Sequence, residues 1–203
     1  MSQILLVVIL AMSSTLFATE DMVTIPTRQG VTQSYVLTTP DNHNPDVVLI
    51  LFPGAQGKIN LHMENGQIKV GESNFLVRER QRFVDLGAAT AVFDVPSDSR
   101  SGMDDGFRMG QKHATDIGFV IDDLKSRWPT AHIFLVGTSR GTISASSVAY
   151  RLKDRIDGLI LTSTIKGSGT TGVKKLGEPV LFVHHQFDVH TSGTQDCLIL
   201  HRT

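Results

Sequence analysis

Apolar residues come in short blocks along this chain, and the spacing within the blocks changes from one to the next. Val31–Thr39 alternates β-branched and polar residues and stops at Pro40, which predicts an early antiparallel strand. Asp46–Phe52 (DVVLILF) is almost continuously apolar and ends at Pro53-Gly54. Such a run suits a strand covered on both faces in a parallel sheet. Ser73–Leu86 places Phe75, Leu76, Phe83 and Leu86 near helical spacing, with Gly87 as a stop. Ala88–Val95 reads as a second buried strand. Met109–Trp128 reads as a long amphipathic helix with Ile117, Val120, Ile121 and Leu124 on one stripe. Ala131–Val136 is a buried strand, Thr142–Leu152 a helix of small residues, and Ile156–Thr164 and Pro179–His184 two further strands. Strands alternating with helices imply right-handed crossovers and a mostly parallel sheet with helices on both faces, an α/β class. Ligands in such sheets bind beyond the carboxyl ends of the strands. Attention therefore falls on four loops: Pro53–Gly57, Pro96–Arg108, Gly137–Gly141 and His185–Asp188.

The first apolar block behaves differently. Ile4–Met12 (ILLVVILAM) is followed by Ser13, Ser14 and Thr15, then Leu16-Phe17-Ala18, then the first acids, Glu20 and Asp21. This is the plan of a secretory signal peptide over 1–18, leaving a folded domain over 22–203 and an exported protein, periplasmic or extracellular. The run is short of the roughly 20 residues of a bilayer span, so no stable membrane anchor is expected. A buried N-terminal strand is the alternative, because Val7, Val8 and Ile9 favour strands.

Composition narrows the function classes. The 203 residues are 40% hydrophobic and 19% charged, which fits one packed domain and not a disordered chain. A formal net charge of −1 argues against a nucleic-acid-binding surface. The single cysteine, Cys197, excludes an intramolecular disulfide and a cysteine-based zinc knuckle.

Gly137-Thr138-Ser139-Arg140-Gly141 fits G-x-S-x-G, between a buried strand and a small-residue helix. In that context the motif forms a nucleophile elbow. The turn strains the serine backbone so that the hydroxyl projects outward, and glycines avoid collision where strand and helix pack closely. The helix N–H groups face the same space and favour a developing oxyanion. The plainer alternative is an ordinary strand-to-helix turn with Ser139 as a cap.

With the elbow, the Pro53-Gly54 loop and an acid beyond the last long strand, the chain resembles the α/β-hydrolases, specifically small exported bacterial serine hydrolases. The resemblance runs from about Val23 to Asp188. It implies Ser139 as nucleophile, Asp188 as the acid that orients a histidine, and the N–H groups of Ala55 and Arg140 as oxyanion donors. Asp94 and Asp98 are the fallback acids. It implies a small-molecule acyl substrate, an ester more than an amide, with no metal or organic cofactor and no nucleic-acid partner. The base should come third in chain order, after a further helix and strand. The residues after Asp188 are too few for both, so the expected sheet lacks its last strand and helix and the chain reads as C-terminally truncated. Cys197–Leu200 suits one short strand with His201 beyond it, and His201 stands in as the base; His190 is close to Asp188 in the chain and poorly placed to serve both partners.

Other residues admit duller readings. His184, His185, Asp188 and His190 resemble a metal cluster in composition, but adjacent strand residues point to opposite faces. Arg100, Asp104, Asp105 and Arg108 either shape a substrate pocket or solvate a long loop, the second being the plainer. Gly167–Gly172 lacks the lysine of a phosphate-binding loop. Two functions stay open: a serine hydrolase, or a non-catalytic protein with the same sheet and no working base.

Overall fold

The computed structural model describes residues 18–41, 44–165, 173 and 176–183, together with the backbone of 198–201. The signal-peptide segment, the Gly167–Gly172 stretch, Cys197 and the run from His184 to His190, with Asp188 in it, lie outside the described residues.

The strands are β1 (Thr19–Pro26), β2 (Thr32–Thr39), β3 (Val47–Phe52), the short pair β4 (His62–Glu64) and β5 (Gln67–Lys69), β6 (Ala89–Phe93), β7 (His132–Thr138), β8 (Gly158–Thr162), β9 (Val180–Val183) and β10 (Leu198–His201). The helices are α1 (Phe75–Asp85), α2 (Asp105–Met109), α3 (Gln111–Arg127) and α4 (Gly141–Arg151). Eight strands form one sheet in the order β1-β2-β6-β3-β7-β8-β9-β10. Its centre, β6-β3-β7-β8-β9, is parallel, while β1, β2 and β10 join antiparallel. The expected α/β architecture is therefore present. The sheet ends on a four-residue antiparallel strand and not on a parallel strand delivered by a helix.

Strand parity builds the two cores. Val48, Ile50 and Phe52 of β3, Ala89, Ala91 and Phe93 of β6, and Ile133 and Leu135 of β7 face α3 and α4. Ile117, Val120, Ile121 and Leu124, the stripe read from the sequence, fill that side with Ala145, Val148 and Ala149. The opposite parity, Leu49, Leu51, Val92 and Val136, packs with Leu76 and Val77 of α1. A nearly continuous apolar strand is thus explained residue by residue, since both of its faces are covered.

The local signals behave as chemistry requires. The Asn74 carboxamide caps α1 by accepting from Leu76 N–H at 3.0 Å, and Gly87 follows its end at φ +92°. Three elements escape the periodicity reading. β1 begins at Thr19, three residues before the expected boundary at 22, and its alternating half-exposed pattern marks an edge strand. β4 and β5 form a hairpin whose signal was Asn65-Gly66, both at positive φ as a tight primed turn needs. The long helix expected over Met109–Trp128 begins only at Gln111. Gly110, extended at ψ 157°, separates it from α2.

A candidate active site at the carboxyl edge of the sheet

The elbow is formed as the motif requires. β7 ends at Thr138, α4 begins at Gly141, and Ser139 between them has φ +51°. A serine in the left-handed region costs roughly 1–2 kcal/mol, and such strain persists where the surroundings impose it. Here they do. Ser139 N–H donates to the Thr162 carbonyl of β8 at 3.1 Å, and its own carbonyl accepts from Thr142 N–H at 3.0 Å and from the Thr142 hydroxyl at 2.6 Å. The flanking glycines are required by contact. A methyl at Gly141 would sit 2.0 Å from the Phe52 carbonyl oxygen, and one at Gly137 would sit 2.8 Å from the Gly141 carbonyl oxygen. Ser139 itself is half-buried, and its hydroxyl makes no hydrogen bond among the described residues.

The loop after β3 lies against the serine. A methyl at Gly54 would be 3.1 Å from Ser139 Cβ and 3.1 Å from the Thr138 carbonyl oxygen. Gly57 N–H donates to the Gly54 carbonyl at 2.9 Å, so the turn runs over Gly54–Gly57 and not around Pro53-Gly54. Exposed Ala55 occupies it at φ +48°. Neither Ala55 N–H nor Arg140 N–H is used by a backbone carbonyl of the described residues. The two expected oxyanion donors thus belong to segments in contact, on either side of Gly54.

The sequence reading missed what holds those segments. Arg108 on α2 is fully buried. Its guanidinium donates to Ser144 Oγ of α4 at 2.8 Å, to the Ala55 carbonyl at 3.0 Å and, longer, to the Pro53 carbonyl at 3.5 Å. Burial, and then the nearby charge of Arg140, pushes its pKa down to about 10, so it stays a cation at neutral pH. One turn earlier, Asp105 accepts from Arg140 Nη2 at 2.7 Å and Nε at 3.0 Å. Only the i, i+3 spacing of Asp105 and Arg108 hinted at this. A five-residue helix has no hydrophobic period to reveal it.

The fallback acids are otherwise engaged. Asp94 accepts from the backbone N–H groups of Ile59 at 2.9 Å, Leu61 at 2.7 Å and Val95 at 2.8 Å, which shapes the loop after β3. Asp98 pairs with Arg28 at 2.8 Å, and Arg28 also donates to the fully buried Asp116. Arg28 holds the Asp98 carboxyl below its ordinary range.

No described histidine side chain hydrogen-bonds to Ser139. His132 opens β7 at the opposite edge and pairs with Asp157 at 2.8 Å, His62 lies on the β4 hairpin, and His113 is buried in the core. The backbone register decides the position of His201. Thr138 pairs with Thr162, Thr162 with Val183 and Val183 with Leu198, so these four mark the serine's edge of the sheet. His201 instead pairs with Val180, at the start of β9. Val180 in turn pairs with Leu159 and Leu159 with Leu135, so the backbone of His201 lies level with the middle of β7, about 10 Å from the serine's edge of the sheet. Asp188 falls outside the described residues, so its expected role is neither supported nor opposed by contacts.

No protein-family model matches the chain, and no curated protein matches its sequence. Solved structures do resemble it. An alpha-beta serine hydrolase homologue from Coxiella burnetii is 17% identical with a TM-score of 0.59, over 82% of this chain and 74% of that one. An a/b serine hydrolase without a lid from Xanthomonas campestris is 17% identical with a TM-score of 0.59, over 85% and 74%. A cold-adapted esterase from an Arctic intertidal metagenomic library is 15% identical with a TM-score of 0.58, over 86% and 73%. At such identities the likeness speaks for architecture, and together with the strand order it establishes that this chain has the α/β-hydrolase fold.

Proposed function

We propose that this protein is a serine hydrolase acting on esters through an acyl-enzyme at Ser139. The observation that carries the reading is the strained backbone of Ser139 beside two unused N–H groups, at the carboxyl edge where such sheets bind ligands. The similarity of fold to serine hydrolases and an esterase agrees with it. Ser139 Oγ attacks the ester carbonyl carbon and passes its proton to a histidine, which Asp188 orients. The oxyanion of the tetrahedral intermediate accepts from Ala55 N–H and Arg140 N–H. Collapse expels the alcohol, protonated by the same histidine, and water then releases the acid by the reverse sequence. The base is assigned to a histidine after Asp188 in the chain, as the order of such triads requires: His201, with His190 as the alternative.

The second reading is a non-catalytic protein of the same fold that binds ligands at this edge without turning them over. Labelling separates the two. A fluorophosphonate should modify the wild-type protein at Ser139, p-nitrophenyl esters should turn over, and Ser139→Ala should abolish both. Folded wild-type protein that is neither labelled nor active would leave the binding reading alone.

A further inference from the structure

We infer that Arg108 is a positioning residue that fixes the oxyanion-donating loop against the elbow, and that α2 is the clamp carrying it. The inference rests on the proposed hydrolase reading, and it assigns a role that no motif of the fold supplies.

The backbone connectivity makes the case. The Ala55 N–H belongs to the peptide joining Gly54 to Ala55. Arg108 donates to the carbonyl of the peptide before it, at Pro53, and of the peptide after it, at Ala55. The donor peptide is therefore bracketed by two carbonyls held by one cation. That grip maintains Ala55 at φ +48°, a conformation an alanine does not choose by itself. The same guanidinium reaches Ser144 on α4, the helix whose approach supplies Arg140 N–H. Asp105, one turn back on α2, holds the Arg140 side chain. One helical turn thus contacts both donor segments and sets their separation.

The surroundings are built to keep this arrangement. Gly57 has φ +75°, and a methyl there would lie 2.4 Å from Met103 Cε and 2.9 Å from Arg108 Nη2, so the loop closes directly over the guanidinium. Met103 N–H donates to the Gln56 carbonyl at 2.9 Å, tying the segment before α2 to the same loop. Burying a cation without a carboxylate partner is expensive, and the hydrogen bonds of Nη1 and Nη2 offset part of that cost, while Nε finds no partner among the described residues. An apolar side chain would fill this space at lower cost, but it would leave the two carbonyls without donors.

The test compares Arg108→Met, Arg108→Lys and the milder Ser144→Ala with wild type, on p-nitrophenyl butyrate and on an aryl trifluoromethyl ketone, whose serine adduct carries an oxyanion. In Arg108→Met, kcat should fall roughly 10- to 100-fold while KM moves less than about 3-fold, short of the 10²–10³ that follows outright removal of a donor. Affinity for the ketone should fall by the same factor as kcat. Arg108→Lys should recover part of the loss, because an ammonium reaches one carbonyl, and Ser144→Ala should cost a few-fold in kcat with KM unchanged. A residue that merely supported folding would lower thermal stability and leave kcat per folded molecule and ketone affinity intact, and that result would overturn the inference. If Arg108→Met does not fold, unchanged kcat in both Arg108→Lys and Ser144→Ala overturns it equally. A wild-type protein that fluorophosphonate does not label removes the hydrolase reading and this one with it. A labelled wild type with unmoved variants removes only this one.

Discussion

His113 shows how a single side chain couples the core to solution conditions. It lies on α3 with its ring wholly buried, 6.0 Å from the ring of Phe52, 5.7 Å from Phe93 and 5.6 Å from Phe107. Neither ring nitrogen finds a partner among the described residues. Burial, then the charges of Arg108 and Arg28, lowers its pKa to about 3. The unfolded chain takes up this proton near pH 6.5 and the folded one does not until about pH 3. Folding stability from this residue is therefore complete above pH 6.5 and is lost as pH falls toward 3, by at most about 1.4 kcal/mol per pH unit. His113→Leu should remove that slope. Between pH 8 and pH 5 the variant should lose about 2 kcal/mol less stability than wild type, read from urea unfolding at the two pH values. Equal losses would place another titration behind acid sensitivity. Ser139 and Ala55 are the other residues of consequence at this scale. Ser139 could be found from G-x-S-x-G alone, because the motif encodes a local backbone demand. Arg108 could not, because beyond its i, i+3 spacing from Asp105 nothing local distinguishes a buried arginine on a five-residue helix from a solvated one.

Among the elements, the junctions after the strands carry the strain. Ala55 follows β3, Ser139 follows β7 and Ser163 follows β8, and all three are non-glycine residues at positive φ, at +48°, +51° and +45°. Three neighbouring parallel strands thus leave the sheet through left-handed residues at one edge, where strained backbone tends to accompany function. The β7–α4 junction is the tightest. Gly141→Ala would bring a methyl to 2.0 Å from a backbone oxygen of β3, which no rotamer change relieves. The cost should reach about 3 kcal/mol, the upper part of the range for overpacking, and show as a lower urea midpoint with an unchanged slope. An alanine variant as stable as wild type would mean that α4 approaches β3 less closely than this. The glycine was readable from the sequence as a motif position. The atom it must avoid belongs to Phe52, 89 residues earlier in the chain, and only the packed sheet identifies it.

For the whole molecule, the register across the sheet divides the two edges. Ser139 lies at the carboxyl edge of the parallel strands, and β10 runs back along β9 so that the backbone of His201 lies level with the middle of β7. One of His201→Ala and His190→Ala should slow fluorophosphonate labelling at Ser139 by orders of magnitude, and the other should leave it within about 2-fold of wild type. Unchanged labelling in both variants would leave neither as the base. The same sheet joins distant segments by charge. Arg28, just after β1, binds Asp98 beyond β6 and Asp116 on α3, and through them ties the antiparallel edge to the loops around the site.

What the sequence by itself determined is everything carried by local period and local strain. Two-face burial wrote itself as continuous apolar runs in β3, β6 and β7, one-face burial as the stripe on α3, and the elbow as two glycines around a serine. The tertiary structure alone decided which atoms those elements bring together. It set Arg108 beneath the Ala55 loop, spent the Asp94 carboxylate on the backbone of Ile59 and Leu61, and turned β10 back along β9. The physical reason is that period and strain act between neighbours in the chain. Hydrogen bonds and contacts across the sheet depend on register and crossing, which join residues tens of positions apart.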